Sequence, residues 1–170
     1  MKNTVFITLV MLIVGYPQKE TTKKKIYPKI TLKKEKRIEP IDSTNLTKEL
    51  FVKFVLSKNI THPEVAYAIA RQESNLCSDL FKKNNNLFGM KHPGVRPTLS
   101  MGRRFGFASF EKWQHSVLDY KLYLEFVGGH EMTRDQYLNH LDRSYAHPGY
   151  SKYIRMYFEE FDSITKQGKI

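Results

Sequence analysis

From Asp42 onward the chain keeps a helical period that fails once, and that single failure constrains the fold more than any other feature. Leu46, Leu50, Phe51, Phe54 and Val55 recur at helical spacing, as do Val65, Ala66, Ala68 and Ile69. Between Asn84 and Arg104 the period stops. This stretch holds Gly89, Pro93, Gly94, Pro97 and Gly102, with short apolar runs at Leu87–Met90 and Phe105–Phe110 at its two ends. Short apolar runs bounded by Gly and Pro suit a small β-hairpin. Trp113, Val117, Tyr120 and Leu124 then restore the period until Gly128 and Gly129 end it. A last helix carries Tyr153, Ile154, Tyr157, Phe158, Phe161 and Ile164 and stops near Gly168. The expected class is α+β, mostly α: a helical domain with a small β-hairpin lobe. Expected caps are Ser43 and Thr44 for the first helix and Ser109 for the third. Thr61 with Glu64, and Thr133 with Gln136, have the spacing of capping boxes, with Pro63 in a first turn.

The segment before Asp42 has a different composition. Lys2 followed by the apolar run Val5 to Val14 reads as a signal peptide or short N-terminal anchor over residues 1–15. Such a run is too short to span a bilayer, which takes about 20 apolar residues. Residues 16–41 read as a Lys/Pro-rich linker, leaving 42–170 for the domain. An exported protein of the periplasm or cell envelope follows. The formal net charge of +11 is uneven: Lys19 to Glu39 carry nine Lys and Arg against three Glu. Apart from that segment and Lys2, 18 basic residues face 14 acidic ones. The tail therefore suits contact with anionic membrane or wall polymer, and the domain carries no charge signature of a nucleic-acid binder. Cys77 is the one cysteine, which excludes an intrachain disulfide and suits a buried thiol.

Glu73 stands out as a candidate for chemistry. Ile69 lies four residues before it and Ala66 seven, so the carboxylate shares a face with the apolar stripe. A carboxylic acid at the edge of a buried face can protonate a glycosidic leaving oxygen. Periodicity alone equally suits a salt-bridged Glu near a helix end.

The surrounding residues narrow that choice. The string Ala70 to Asn75 (ARQESN), followed by Asn84 to Lys91 (NNNLFGMK), resembles the bacterial peptidoglycan-hydrolysing N-acetylglucosaminidase family. Phe107 to Phe110, Asp119 with Tyr120, and Ser144 to Tyr150 (SYAHPGY) continue the resemblance, which spans about Pro63 to Ile154. It implies a lysozyme-like fold whose hairpin lobe lies beside a cleft, with the glycan strands of peptidoglycan as partner and no cofactor. It assigns the general acid to Glu73 and places Tyr145 across the cleft. Asn85, Asn86, Leu87, Phe88 and Gly89 fall where the family shapes its cleft floor. Tyr150 matches a second Tyr, expected more for packing than for chemistry, and Phe88 and Phe110 suit a core better than a sugar platform.

One departure bears on mechanism. Leu80 to Phe110 contains no Asp or Glu, so a second carboxylate from the hairpin is not to be expected. Two single-acid mechanisms then stand: a hydrolase in which the substrate's 2-acetamido oxygen attacks, and a lytic transglycosylase. A carboxylate from farther along, Asp119 or Glu111, and a catalytically silent wall-binding scaffold are the other readings. Lys82, Lys83, Lys91, Arg96, Arg103 and Arg104 make the hairpin region basic, which suits stem-peptide carboxylates. The six His show no i, i+4 pair, so metal ligation finds no pattern here.

Overall fold

The computed structural model describes residues 46–167. They belong to one compact unit, Ile38–Ile170. The expected signal, the linker, Ser43 and Thr44 lie outside the described residues. The elements are α1 Lys48–Ser57, α2 Pro63–Ser74, α3 Asp79–Asn84, β1 Gly102–Arg104, β2 Phe107–Ser109 and α4 Trp113–Val127. A 3₁₀ turn at Gly129–Glu131 leads to α5 Arg134–Ser144, α6 Tyr150–Arg155 and α7 Phe158–Lys166. The fold is thus the mostly helical α+β type expected, lysozyme-like, with a two-stranded antiparallel sheet among the described residues.

Helix α2 is the centre of the core. Val65 through Ala70 are all fully buried, so this helix is enclosed on every side rather than amphipathic. Helices α1, α3, α6 and α7 pack against it. The alternation of Ala with larger residues lets those neighbours approach closely. Phe51, Phe88 and Trp113 fill the space beside it, with ring centroids 6.3 Å from Phe51 to each of the other two.

The helix ends differ from several expected caps. Thr47 caps α1 by accepting from Leu50 N at 3.1 Å. His62, not Thr61, precedes α2, with φ 55° and no side-chain cap bond. A tertiary contact overrides the capping box there: the His62 ring stacks on Tyr137, and its Nε2 bonds the Met132 carbonyl at 2.9 Å. Pro63 at the first turn removes one N–H that a cap would have satisfied. Thr133 and Gln136 do form their capping box. Ser109 lies in β2 rather than capping α4, and Lys112 takes that position.

Other elements depart from the sequence reading as well. The short α3, capped by Ser78, was not legible. The long C-terminal helix is two, α6 and α7, separated at Met156 and Tyr157. Leu87–Met90 is not a strand; β1 lies farther along, at Gly102–Arg104. Cys77 is exposed, not buried, because α2 ends before it and Asn75 and Leu76 turn the chain through positive φ.

Two charged anchors hold the periphery. Asp119 is fully buried on α4, and its Oδ1 accepts from Thr98 Oγ1 at 2.6 Å and Leu99 N at 2.7 Å. Its Oδ2 accepts from Arg96 Nη2 at 2.7 Å, and the Arg96 side chain is 6% exposed. These bonds fasten the loop before β1 to α4. Glu160 of α7 bonds Lys48 of α1 and Arg71 of α2, tying three helices.

Asp119→Ala should destabilise the fold by about 3–5 kcal/mol, because it strands the Arg96 charge in the interior; urea unfolding of the two proteins measures this. Burial opposes ionisation of Glu160, but the bonds from Lys48 and Arg71, with the Tyr67 hydroxyl nearby, outweigh it and hold the carboxyl below its ordinary value. A group with a lowered folded pKa stabilises above its unfolded value and loses that contribution as pH falls through the folded one. Urea midpoints should therefore fall more on acidification below about pH 4.5 in the wild type than in Glu160→Gln.

Candidate active site

Glu73 occupies the last turn of α2, half-buried. The end of that helix is fixed by its neighbour Ser74, which is buried and bonds in both directions. Ser74 Oγ donates to the Ala70 carbonyl at 2.8 Å and accepts from Leu76 N at 3.2 Å. Asn75, at φ 47°, then turns the chain away in the left-handed conformation usual for a helix end. The glutamate thus stands on a helix terminus whose backbone cannot unwind freely.

A cavity of about 600 Å³ opens over this carboxylate. Its walls include Phe88, Gly89, Tyr123, Tyr145 and Tyr150. The two carboxylate oxygens meet different neighbours. Oε1 accepts a hydrogen bond from the Tyr150 hydroxyl at 2.7 Å. Oε2 lies against Gly89, where an added Cβ would come within 2.7 Å of it. Gly89 also has φ +64°, a backbone conformation that favours glycine, and a Cβ there would push the Glu73 carboxylate out of its place.

The three asparagines before Phe88 build the wall without lining the cavity. Asn84 Nδ2 donates to the Arg104 carbonyl at 2.8 Å. Asn85 Nδ2 donates to the carbonyls of Phe110 and Glu111 at 3.1 and 3.0 Å. Asn86 is fully buried, and its Nδ2 donates to the carbonyls of Met90 and Ala108 at 2.8 and 3.0 Å. Its Oδ1 accepts from Phe88 N and Met90 N at 3.3 and 3.2 Å. Asn85 and Asn86, expected among the substrate-binding residues, therefore point into protein and brace the segment that carries Gly89.

Phe88 contributes backbone rather than ring. Its side chain is fully buried, stacked on Tyr120 at 4.4 Å between centroids. Its carbonyl accepts from the Tyr145 hydroxyl at 2.5 Å. Tyr145 lines the cavity, but the phenol bonded to Glu73 is Tyr150, which the sequence suggests for packing. Tyr123, absent from the sequence reading, packs against Tyr145 at 5.6 Å and bonds His140 Nε2 at 3.1 Å. A signal for it existed: Tyr123 lies one helical turn after Asp119 and so shares its face of α4.

Burial pushes all three hydroxyls up: Tyr123 to about 12, Tyr145 well above the usual phenol range, and Tyr150 likewise. For Tyr150 the nearby Glu73 charge and the hydrogen bond to it add to that shift. All three are neutral donors at any ordinary pH.

Glu73 is the one acidic residue lining the cavity among the described residues. Asp119 is enclosed by Arg96, Thr98 and Leu99, and Glu111 is an exposed partner of His115 at 3.7 Å. Neither lines the cavity. The basic wall is smaller than expected. Lys91 and Arg96 line the cavity, and the Arg96 charge is taken up by Asp119.

One acid in an open cavity of sugar size, framed by neutral hydroxyls, can protonate a glycosidic oxygen. No curated protein and no solved structure matches the chain. A family model does match, over residues 51–163: the one described as mannosyl-glycoprotein endo-beta-N-acetylglucosaminidase. That range takes in Glu73, Gly89, Tyr123, Tyr145 and Tyr150. The chain belongs to this glucosaminidase family of glycan-cleaving glycoside hydrolases.

Proposed function

We propose that the protein cleaves the glycan strand of peptidoglycan as an endo-β-N-acetylglucosaminidase, with Glu73 as general acid. The observation that carries this reading is the placement of Glu73. It is the one acid on the cavity wall among the described residues, held between the Tyr150 hydroxyl and the Gly89 backbone.

With no second carboxylate beside it among the described residues, the substrate's own 2-acetamido group supplies the nucleophile. Its carbonyl oxygen bonds to the anomeric carbon as the glycosidic C–O bond breaks. The Glu73 proton passes to the departing oxygen. Water then adds at the anomeric carbon, its proton goes to the Glu73 carboxylate, and the acetamido group is released unchanged. The acid is thereby restored. Tyr150 keeps Oε1 oriented through both steps and stabilises the carboxylate once the proton has left. Tyr145 braces the Phe88 carbonyl and with it the Gly89 segment. With its one proton given to Phe88, the Tyr145 oxygen can also turn lone-pair density toward the positive charge building on the sugar.

Peptidoglycan digested with the full chain should yield reducing N-acetylglucosamine ends, detected by mass spectrometry before and after borohydride reduction. Non-reducible anhydro-muramyl ends would move the assignment to a transglycosylase. Absence of any release would leave a wall-binding scaffold. Glu73→Gln should fold normally and lose at least about 10²–10⁴-fold in kcat, and a well-folded variant with substantial activity would sink the role of Glu73. Tyr150→Phe removes one hydrogen bond to a charged group, worth about 1.5–3 kcal/mol. Its kcat should fall about ten- to a hundredfold with KM little changed.

A further inference from the structure

The tip of the hairpin breaks a local rule. Arg104 pairs with Phe107, so Phe105 and Gly106 form a two-residue turn, with φ 51° and 82°. Two successive positive φ values suit Asn, Asp or Gly at the first position. A bulky side chain there is an outlier and costs on the order of 1 kcal/mol. Burial does not offset the cost, because Phe105 is 64% exposed.

The surroundings of this ring are cationic. Lys82 and Lys83 from the end of α3, and Arg103 and Arg104 from β1, are all exposed. Arg104 Cζ lies 5.2 Å and Lys83 Nζ 5.8 Å from the Phe105 ring centroid. The cluster is fixed in place: Arg104 Nη1 donates to the Lys83 carbonyl at 2.9 Å, and Asn84 holds the Arg104 carbonyl. Asp79 offers partial compensation, 4.0 Å from Lys83 Nζ and itself exposed. None of these residues lines the cavity over Glu73.

We propose that the hairpin tip is an interfacial anchor that docks on a bilayer rich in anionic lipid. Phe105 enters the boundary between headgroups and acyl chains, and the four cations meet lipid phosphates. A soluble polyanion would be satisfied by the cations alone. It would give no return for a large aromatic held out on an unfavourable turn. A bilayer places an apolar layer just beneath its charge, which matches a ring ringed by cations.

The test is sedimentation of the full chain with vesicles of phosphatidylglycerol and phosphatidylcholine, against phosphatidylcholine alone. The basic N-terminal segment is common to all variants, so differences report the tip. Phe105→Asn should raise Tm, since Asn suits the turn, and lower partitioning onto the anionic vesicles about tenfold. Lys82→Gln and Arg103→Gln should each lower it about fivefold and leave the weak binding to neutral vesicles unchanged. Activity on soluble glycan fragments should be unaltered in all three. Equal binding of Phe105→Asn and wild type to anionic vesicles would overturn the proposal. So would a fall in Tm for Phe105→Asn, which would mean that the ring serves the fold. An equal loss of binding to polyphosphate would also overturn it, since the tip would then read anionic polymer in general.

Discussion

A primary amide buried away from water must find its hydrogen-bond partners in the protein, and Asn86 does so completely enough to organise its whole neighbourhood. Its nitrogen donates to two carbonyls and its oxygen accepts from two backbone N–H groups. Those four groups belong to Phe88, Met90 and Ala108. One side chain therefore sets the curl of the segment around Gly89 and the distance from that segment to β2. The Met90 carbonyl also accepts from Ala108 N at 2.9 Å, so the hairpin is joined to the segment by backbone as well. Everything that meets Glu73 Oε2 depends on this arrangement. An aliphatic residue in the same place would take away the acceptor of two N–H groups, those of Phe88 and Met90.

The second support of the site is helical. Tyr150 is the first residue of α6, a helix of six residues packed on α2 through buried Tyr150 and Ile154. The acid and its phenol thus sit at facing ends of two packed helices. Glycine enters this geometry twice: Gly149, at φ 82°, turns the chain into α6, and Gly89 leaves room for the carboxylate. The tyrosines contribute polar contacts without charge, because burial keeps their hydroxyls protonated. Pre-oriented neutral donors of this kind can stabilise developing charge without reorganising during the reaction.

Local chemistry explains which parts of this could be read from the sequence. The helical class, the hairpin lobe, the end of α4 at Gly128 and the Thr133 capping box follow from periodicity and short-range bonding, and all are present. The starts of α2 and α4 and the break between α6 and α7 differ from that reading. There the deciding contacts are tertiary: His62 on Tyr137 and Met132, and Ser109 in the hairpin ladder. The N-N-N-L-F-G string was legible as a motif but not as a scaffold. A run of asparagines looks like a row of groups offered to a ligand. Its amides instead turn inward because β2 and the segment after it present unpaired carbonyls at the right height. The role of Tyr150 is hidden for the opposite reason. An aromatic near a core helix reads as packing, and no local pattern announces that its hydroxyl will reach 77 positions back to Glu73.

The cavity, in the proposed mechanism, brings one acid that later takes the proton from water, a set of neutral phenols and, among the described residues, no second carboxylate to bond the anomeric carbon itself. Which nucleophile ends the reaction is then decided by what can physically reach the anomeric carbon after the leaving group departs. Open access for solvent gives hydrolysis. A narrower cleft that excludes solvent and folds a sugar's own hydroxyl onto that carbon gives an intramolecular ring. Conversion between the two outcomes would need no new catalytic residue, only a change in the walls that decides which sugar of the strand lies at Glu73 and whether solvent reaches it. Evolution can therefore explore both chemistries on this scaffold through substitutions that are conservative in charge and alter shape alone.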